Sequence, residues 1–298
     1  MSIKANDDLS RQPLFRRGKD PTTEALMGGL GYDDRLIAVG FLTATEALAK
    51  ALKTDALHPH SLVYPLVFCF RHYLELMFKH LLRILRSFAP LSEEEAAVAL
   101  GQHDMRNLLN LILAAAESSS DSSFADSDDA KTLTMRVTEF HAKDASSFAF
   151  RYTRTKHGQP CVEANTSFDL EAFSNEMREV AAILFDVEAW CIDMKVAHVN
   201  AWADAVNSAL STLQMREPFS GAPDPRFMGG NVLQMQWTSD GTKRWVTCQL
   251  LEDKKIHMWF WNESDRGNYT EKIVPADPDA GVQTEAAEAI AAFLNPVA

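Results

Sequence analysis

The sequence predicts a mainly α protein, in which a helical bundle precedes a small α+β domain with an antiparallel meander and a C-terminal helix. Apolar residues recur every three or four positions over the first two thirds of the 298 residues, as in amphipathic helices. The last part changes to short runs rich in Val, Trp, Phe, Thr and Ile, separated by turn residues, which is typical of strands. A segment rich in Pro and Gly separates the two patterns. We therefore predict four parts: an N-terminal arm (1–30), a helical domain (31–215), a linker (216–230) and a small α+β domain (231–298).

Each element follows from its own pattern. Asp104 is a predicted N-cap, because it directly precedes an apolar helical stripe and its carboxylate accepts hydrogen bonds from the first backbone N–H groups of a helix. Helices are predicted near 37–52, after Pro65 to about 88, shortly after 95, and over 104–116, 130–142 and 169–215, the last as one bent helix or two. Strands are predicted near 232–238, 244–251, 256–262 and 269–274, and a final helix over 285–294.

Composition restricts the classes of function. With 29 basic against 41 acidic residues the net charge is −12, so a polyanion is repelled unless basic residues are concentrated locally. The four cysteines form no CxxC pair, which argues against a zinc ribbon or a dithiol redox site. The N-terminus has no apolar signal region, and the longest apolar run ends at Arg71, too early for a membrane span. We expect a cytoplasmic protein with reduced thiols and no metal, cofactor or membrane partner.

Arg71, Glu75 and Lys79 follow one another at steps of four, so their charged groups share one helix face. An ordinary solvated ladder of ion pairs is one interpretation. The residues before Arg71 are almost all apolar, however, and a guanidinium that leaves a buried region needs a fixed partner. We therefore expect the Arg71 guanidinium to emerge from a buried region and to have a fixed partner.

The chain resembles HEPN domains over residues 35–200. The resemblance rests on Arg71-His72-Tyr73-Leu74-Glu75 with Lys79, then Gly101-Gln102-His103-Asp104-Met105, then Phe150-Arg151-Tyr152. In the family these are a Glu-x-x-x-Lys helix, a His-Asp-Leu helix start and an Arg-Tyr-Pro turn. The resemblance implies a helical bundle, a homodimer, RNA as the target, and a role in prokaryotic stress response or phage defence, including toxin–antitoxin systems. Many members are metal-independent endoribonucleases that use an Arg and a His four to six residues apart.

Two pairs have that spacing here, Arg151 with His157 and Arg136 with His141. A ribonuclease needs a His to move the 2′-hydroxyl proton and an Arg to stabilise the developing phosphorane charge. Positions five apart on a helix point about 140° away from each other, so we favour the first pair as catalytic. It lies in a loop with a basic and aromatic cluster, predicted to bind RNA, that contains Arg154, Lys156 and Tyr152. Arg71, Glu75 and His103 are expected to support the site. The alternative is an exposed loop in which Arg151 pairs with a carboxylate of the bundle.

A second reading of the sequence is a non-catalytic dimeric protein that binds a ligand or a protein partner through its C-terminal domain. Met105 stands where the family has Leu, and Thr153 where it has Pro, which favours this alternative. The tail also carries an aromatic group that would suit either base stacking or packing within a small sheet. It comprises Trp237, Trp245, Trp259, Phe260 and Trp261.

Overall fold

The computed structural model is mostly helical, with a small antiparallel sheet, as the sequence predicts. It describes residues 34–54, 59–119, 121–144, 149–152, 154–155, 157–162, 167, 169–212, 232–239, 242–251, 253–262, 269–276 and 286–290. The helices within these ranges are α1 (Asp34–Thr54), α2 (Pro59–Arg86), α3 (Glu93–Leu100), α4 (Met105–Glu117), α5 (Asp128–Asp144) and α6 (Leu170–Thr212). The strands are β1 (Val232–Ser239), β2 (Thr242–Leu250), β3 (Lys255–Asn262) and β4 (Thr270–Pro275), and residues 286–290 are helical again.

Helix α2 lies at the centre of the bundle, in contact with α1, α3, α4 and α6. Its predicted apolar face is buried, including Leu74, Met77 and Phe78. The prediction that this helix starts after Pro65 is wrong, because α2 begins at Pro59 and contains Pro65. Proline suits the first helical position, where no intrahelical bond is lost. Pro65 lies only two turns further on, where the loss of one hydrogen bond is tolerated by the packed helix.

The starts of α3 and α4 are fixed by side-chain caps. Ser92 accepts from Glu95 N at the start of α3. Asp104 caps α4 as predicted, since its Oδ1 accepts from Arg106 N at 3.0 Å and from Asn107 N at 3.3 Å. The cap matters for function, because it fixes the backbone immediately after His103.

The long predicted helix is one continuous helix, α6, of 43 residues. Its first part packs Met177, Leu184 and Cys191 into the core of the bundle. Its last part places Val199 and Trp202 in a second hydrophobic cluster, beneath the sheet. A single helix therefore contributes to both cores.

The sheet is a meander in the order β1-β2-β3-β4, with every pair antiparallel. Alternate residues face the second cluster, including Val246 and Cys248 on β2, Met258 and Phe260 on β3, and Val274 on β4. The aromatic group of the tail is thus divided, because Phe260 packs in the core while its neighbours Trp259 and Trp261 alternate to the opposite face.

The predicted arm (1–30) and linker (216–230) lie outside the described residues, so the domain boundaries remain predictions. Of the described helices, none has the length and apolarity needed to cross a membrane.

Candidate functional site

The site is built on a buried charge network centred on Arg71, whose side chain is only 1% exposed. Its Nη1 donates to Glu75 Oε2 at 2.9 Å, and its Nη2 donates to the backbone carbonyl of His103 at 2.9 Å. Its Nε lies 3.3 Å from Oδ2 of Asp144, a carboxylate that is also buried. The guanidinium therefore connects three parts of the chain, which are helix α2, the start of α4 and the end of α5.

Glu75 is the second centre of the network. Its Oε1 accepts from Lys79 Nζ at 3.0 Å and lies 2.7 Å from His103 Nδ1. Burial pushes the pKa of Glu75 upward, but the hydrogen bonds from His103, Lys79 and Arg71 outweigh burial, so the pKa lies below its ordinary value. Glu75 is therefore a carboxylate that is held ionised inside the bundle.

His103 is the member of this network that reaches the surface, with 58% of its side chain exposed. Because Nδ1 faces an ionised carboxylate, it carries the ring hydrogen, and the lone pair of the neutral ring is then on Nε2. The carbonyl of His103 accepts from Arg71, and the Asp104 cap fixes the residue that follows, so the backbone at the imidazole is held in place. The arrangement is an oriented imidazole whose second nitrogen can accept a proton.

Asp144 links this network to the segment that carries Arg151. Its Oδ1 accepts from Ala149 N at 3.0 Å, while its other oxygen faces Arg71. The Arg151 side chain is exposed, and its Cζ lies 5.9 Å from the ring centroids of both Phe68 and Tyr152. Cation–π contacts of this kind help to hold a guanidinium in place.

Phe68, which contacts Arg151, also contacts His72 on α2. The His72 ring stacks on it, with centroids 5.7 Å apart and planes at 12°, and Phe41 meets His72 edge-on at 4.4 Å. Burial lowers the pKa of His72, and the positive charges of Arg71, His103 and Lys79 lower it further, against an opposite effect from Glu75. His72 is therefore a neutral packing residue beside the site, which leaves Arg151 and His103 as its exposed members.

The remaining residues of the predicted loop form a tight turn. Gly158 N donates to Thr155 O at 2.9 Å, and Gly158 has a positive φ of 78°, which glycine adopts without strain. Arg154 donates to the Gly158 carbonyl at 2.8 Å, and His157 is exposed within the turn. Lys156, predicted to bind RNA, lies outside the described residues.

The second predicted pair diverges along α5, as its spacing indicates. Arg136 pairs with Glu139 at 3.2 Å and with Glu176 on α6. His141 lies instead near α4, where its Nδ1 is 3.7 Å from Asp104 Oδ1. The two side chains therefore contact different helices, and Arg136 is occupied by carboxylates.

Arg136 borders a cavity of about 610 Å³ between the start of α2, the end of α5 and the start of α6. Its lining is mostly apolar and includes Val67, Phe140, Phe150 and Phe173. Such a volume is within the range of small-ligand sites.

Sequence reasoning found Arg71, Glu75 and His103, and the structure brings these three together. It missed Asp144, which contacts Arg71, and Phe68, which contacts Arg151 and His72. A lone Asp at a helix end and a Phe in an apolar run resemble ordinary cap and core residues, so no sequence pattern distinguished either.

No cluster of three or more His, Cys, Asp or Glu suited to a metal ion occurs in the part of the chain that the structure describes. Comparison of the chain with protein-family models, curated proteins and solved structures finds no match.

Proposed function

We propose that the protein is a HEPN-like protein that acts on RNA as a metal-independent endoribonuclease, with His103 as the general base. One observation carries the proposal: an imidazole that is more than half exposed donates from Nδ1 to a carboxylate that is 1% exposed. A carboxylate–imidazole pair of this kind fixes the tautomer and the direction of the ring, as general-base catalysis requires.

In the proposed reaction His103 Nε2 takes the proton of a ribose 2′-hydroxyl, and the 2′-oxygen attacks the adjacent phosphorus. The bond from phosphorus to the 5′-oxygen breaks, and that oxygen takes a proton from an acid, a role that we assign to His157. The products are a 2′,3′-cyclic phosphate and a 5′-hydroxyl. No metal ion is needed, because Arg151 supplies the positive charge that stabilises the phosphorane.

Local charge supports the binding of phosphate despite the acidic total. Within the network, the positive charges of Arg71 and Lys79 are balanced by Glu75 and Asp144. Arg151 lies outside these ion pairs, with aromatic rings beside its guanidinium. An exposed guanidinium beside aromatic rings is suited to bidentate contact with a phosphate, so we assign phosphate binding to Arg151.

The test is a cleavage assay with end-labelled single-stranded RNA in the presence of EDTA. His103→Gln is expected to lower the rate by at least about 100-fold, the usual contribution of a general base. Arg151→Gln is expected to lower it by about 100-fold or more, the usual contribution of one group that stabilises transition-state charge. His157→Gln should also lower the rate, because it removes the proposed acid. The matched control is His141→Gln, which removes a nearby partly exposed imidazole and should leave the rate unchanged.

Intact RNA after incubation with the wild-type protein would contradict the nuclease proposal. If His141→Gln loses activity while His103→Gln keeps it, the activity stands and the assignment of the base is wrong. Cyclic phosphate termini, detected by their resistance to phosphatase until acid treatment, separate this mechanism from metal-dependent hydrolysis.

A homodimer and a role in prokaryotic stress response or phage defence belong to the same proposal, and both rest on the resemblance alone. Sedimentation analysis tests the first.

The cavity of about 610 Å³ favours a second candidate, a non-catalytic protein that binds a ligand or a partner. Its mostly apolar lining suits an apolar molecule better than a polyanion. Negligible RNA affinity at low salt, where phosphate contacts are strongest, would favour this candidate over the first.

A further inference from the structure

The sheet has a second face that the hydrophobic cluster beneath it does not use. Because residues alternate along each strand, the chain neighbours of the core residues lie on this face. Trp245 and Trp261 are directly opposite each other on neighbouring strands. We call it the outer face; it comprises Trp245, Thr247 and Gln249 on β2, His257, Trp259 and Trp261 on β3, and Glu271 and Ile273 on β4. The Glu271 carboxylate, on the residue opposite Trp259, is paired with His257 at 3.1 Å.

Its aromatic residues are not explained by core packing. Trp245, Trp259 and Trp261 are all partly exposed, and among the described residues none belongs to the cluster under the sheet. His257 packs against Trp259 with ring centroids 4.0 Å apart, and Ile273 is 51% exposed. Concentrated aromatic and apolar surface of this kind marks an interaction site.

We propose that the outer face binds single-stranded RNA, with bases stacked on Trp259 and Trp261. This inference deepens the proposed function and rests on it for the class of ligand. Aromatic side chains on a sheet bind unpaired bases without a requirement for sequence, because every base presents a π-face. Gln249 adds an amide group on the same face that can form hydrogen bonds.

Charge favours this part of the chain over the rest. Residues 232–276 contain six basic and six acidic residues, so the net charge of −12 is carried entirely by the remainder. Lys243 and Lys255 are exposed and lie at opposite ends of the outer face according to the strand register. Lys255 pairs with Asp253 at 2.5 Å, but both side chains are about half exposed, and an exposed ion pair of this kind is weak enough for a phosphate to replace the carboxylate. A strand of RNA that crosses the tryptophans would therefore have an ammonium group for its backbone at each end.

Spacing favours a single strand over a duplex. Trp259 and Trp261 are two residues apart on β3, which places them about 6.6 Å apart along the strand. Bases stacked in a helix are about 3.4 Å apart, so successive bases can reach both rings only when the strand is extended and unstacked. A duplex keeps its bases paired and presents no free base face.

The experiment measures fluorescence anisotropy of a labelled 12-residue oligouridine with the full chain at low salt. The oligonucleotide is 2′-O-methylated, so that it lacks the hydroxyl that cleavage needs and reports binding alone. Trp259→Ala and Trp261→Ala are each expected to weaken binding about 5- to 150-fold, the range measured for one stacked base. Trp259→Phe keeps a ring and should lose less. Ile192→Ala, which shortens an apolar residue on α6 that is 40% exposed and lies outside the outer face, is the matched control and should bind like the wild type.

A duplex of the same length should bind more weakly than the single strand. The proposal is overturned if the wild-type protein does not bind the oligonucleotide, or if both alanine variants bind it normally. It is also overturned if the variants convert a dimer to a monomer in sedimentation with unchanged affinity, since the face would then join two copies. Trp259→Phe is the control for misfolding of the alanine variants, because it keeps an aromatic ring on the sheet and so tests stacking in a folded protein.

Failures of the two proposals are distinguishable. If RNA binds through the tryptophans but unmodified RNA is not cleaved, the outer face stands and the nuclease assignment falls. If RNA is cleaved and the tryptophan variants bind normally, only the outer face is wrong.

Discussion

Replacing Glu75 by Gln tests the buried network most directly. The substitution keeps the size of the side chain but removes the charge that pairs with Arg71, Lys79 and His103. A glutamine amide has only one oxygen, so its NH2 group must face at least one of these donors. Lys79 and His103 can turn toward water, whereas Arg71 is 1% exposed and retains only Asp144 as a carboxylate partner.

Loss of one partner from a buried ion pair costs about 3–5 kcal/mol. Because Asp144 still faces Arg71, we expect the lower end, about 3 kcal/mol, out of a total stability of about 5–15 kcal/mol. The measurement is urea-induced unfolding followed by circular dichroism at pH 7. The control is Asp128→Asn, which removes an exposed ion pair with Lys131 and should leave the unfolding midpoint unchanged.

The pH dependence of this loss provides an independent check. The pKa of Glu75 in the folded protein is below its ordinary value of 4.5. The stability contributed by its charge is therefore fully present above about pH 4.5 and is lost as the pH falls through the folded pKa. The gap between wild type and Glu75→Gln should shrink in that acid range. A loss below about 1 kcal/mol at neutral pH, with an unchanged denaturant slope, would refute the buried network.

Two further predictions concern other titrating groups. His72 has a pKa below its ordinary 6.5, so as the pH drops through 6.5 the unfolded chain takes up a proton before the folded one, and the stability falls. His72→Gln should reduce this loss of stability between pH 7.5 and 5.5, by up to about 1.4 kcal/mol per pH unit. Parallel pH profiles of urea unfolding for the two proteins would contradict this prediction. Burial raises the pKa of the Cys191 and Cys248 thiols, which makes them unreactive. Iodoacetamide should therefore label the partly exposed Cys161 first in the native protein and the two buried thiols only after unfolding, as measured by peptide mass spectrometry. Early labelling of Cys248 would refute its burial.

Most of the predictions made from the sequence were based on local periodicity. The steps of four between Arg71, Glu75 and Lys79 are a property of any helix, and the apolar residues before Arg71 indicated burial. His103 lies 28 residues from Glu75, and only the family resemblance linked the two. Asp144 lies further along the chain and was missed, because the pairing of distant helices leaves no short-range pattern in the sequence.

In the sheet, too, the sequence predicted local structure but not long-range contacts. Strand alternation is local, so the boundaries of the meander were predicted closely. Which alternate set faces the core depends on what packs beneath the sheet, and that includes Val199 and Trp202 from α6. Phe260 and Trp261 are adjacent in sequence and lie on opposite faces, a division that depends on this long-range contact.

Helix α6 couples the unfolding of the two hydrophobic cores, because it contributes residues to both. Its 43 residues extend over about 64 Å at the usual rise, and they belong to the bundle at one end and to the sheet at the other. A cut after Trp202 would remove that side chain from the sheet, and a cut before Cys191 would remove core residues from the bundle. The two cores should therefore melt together in one cooperative step, and cleavage of α6 before Cys191 or after Trp202 should not release the sheet as an intact fragment.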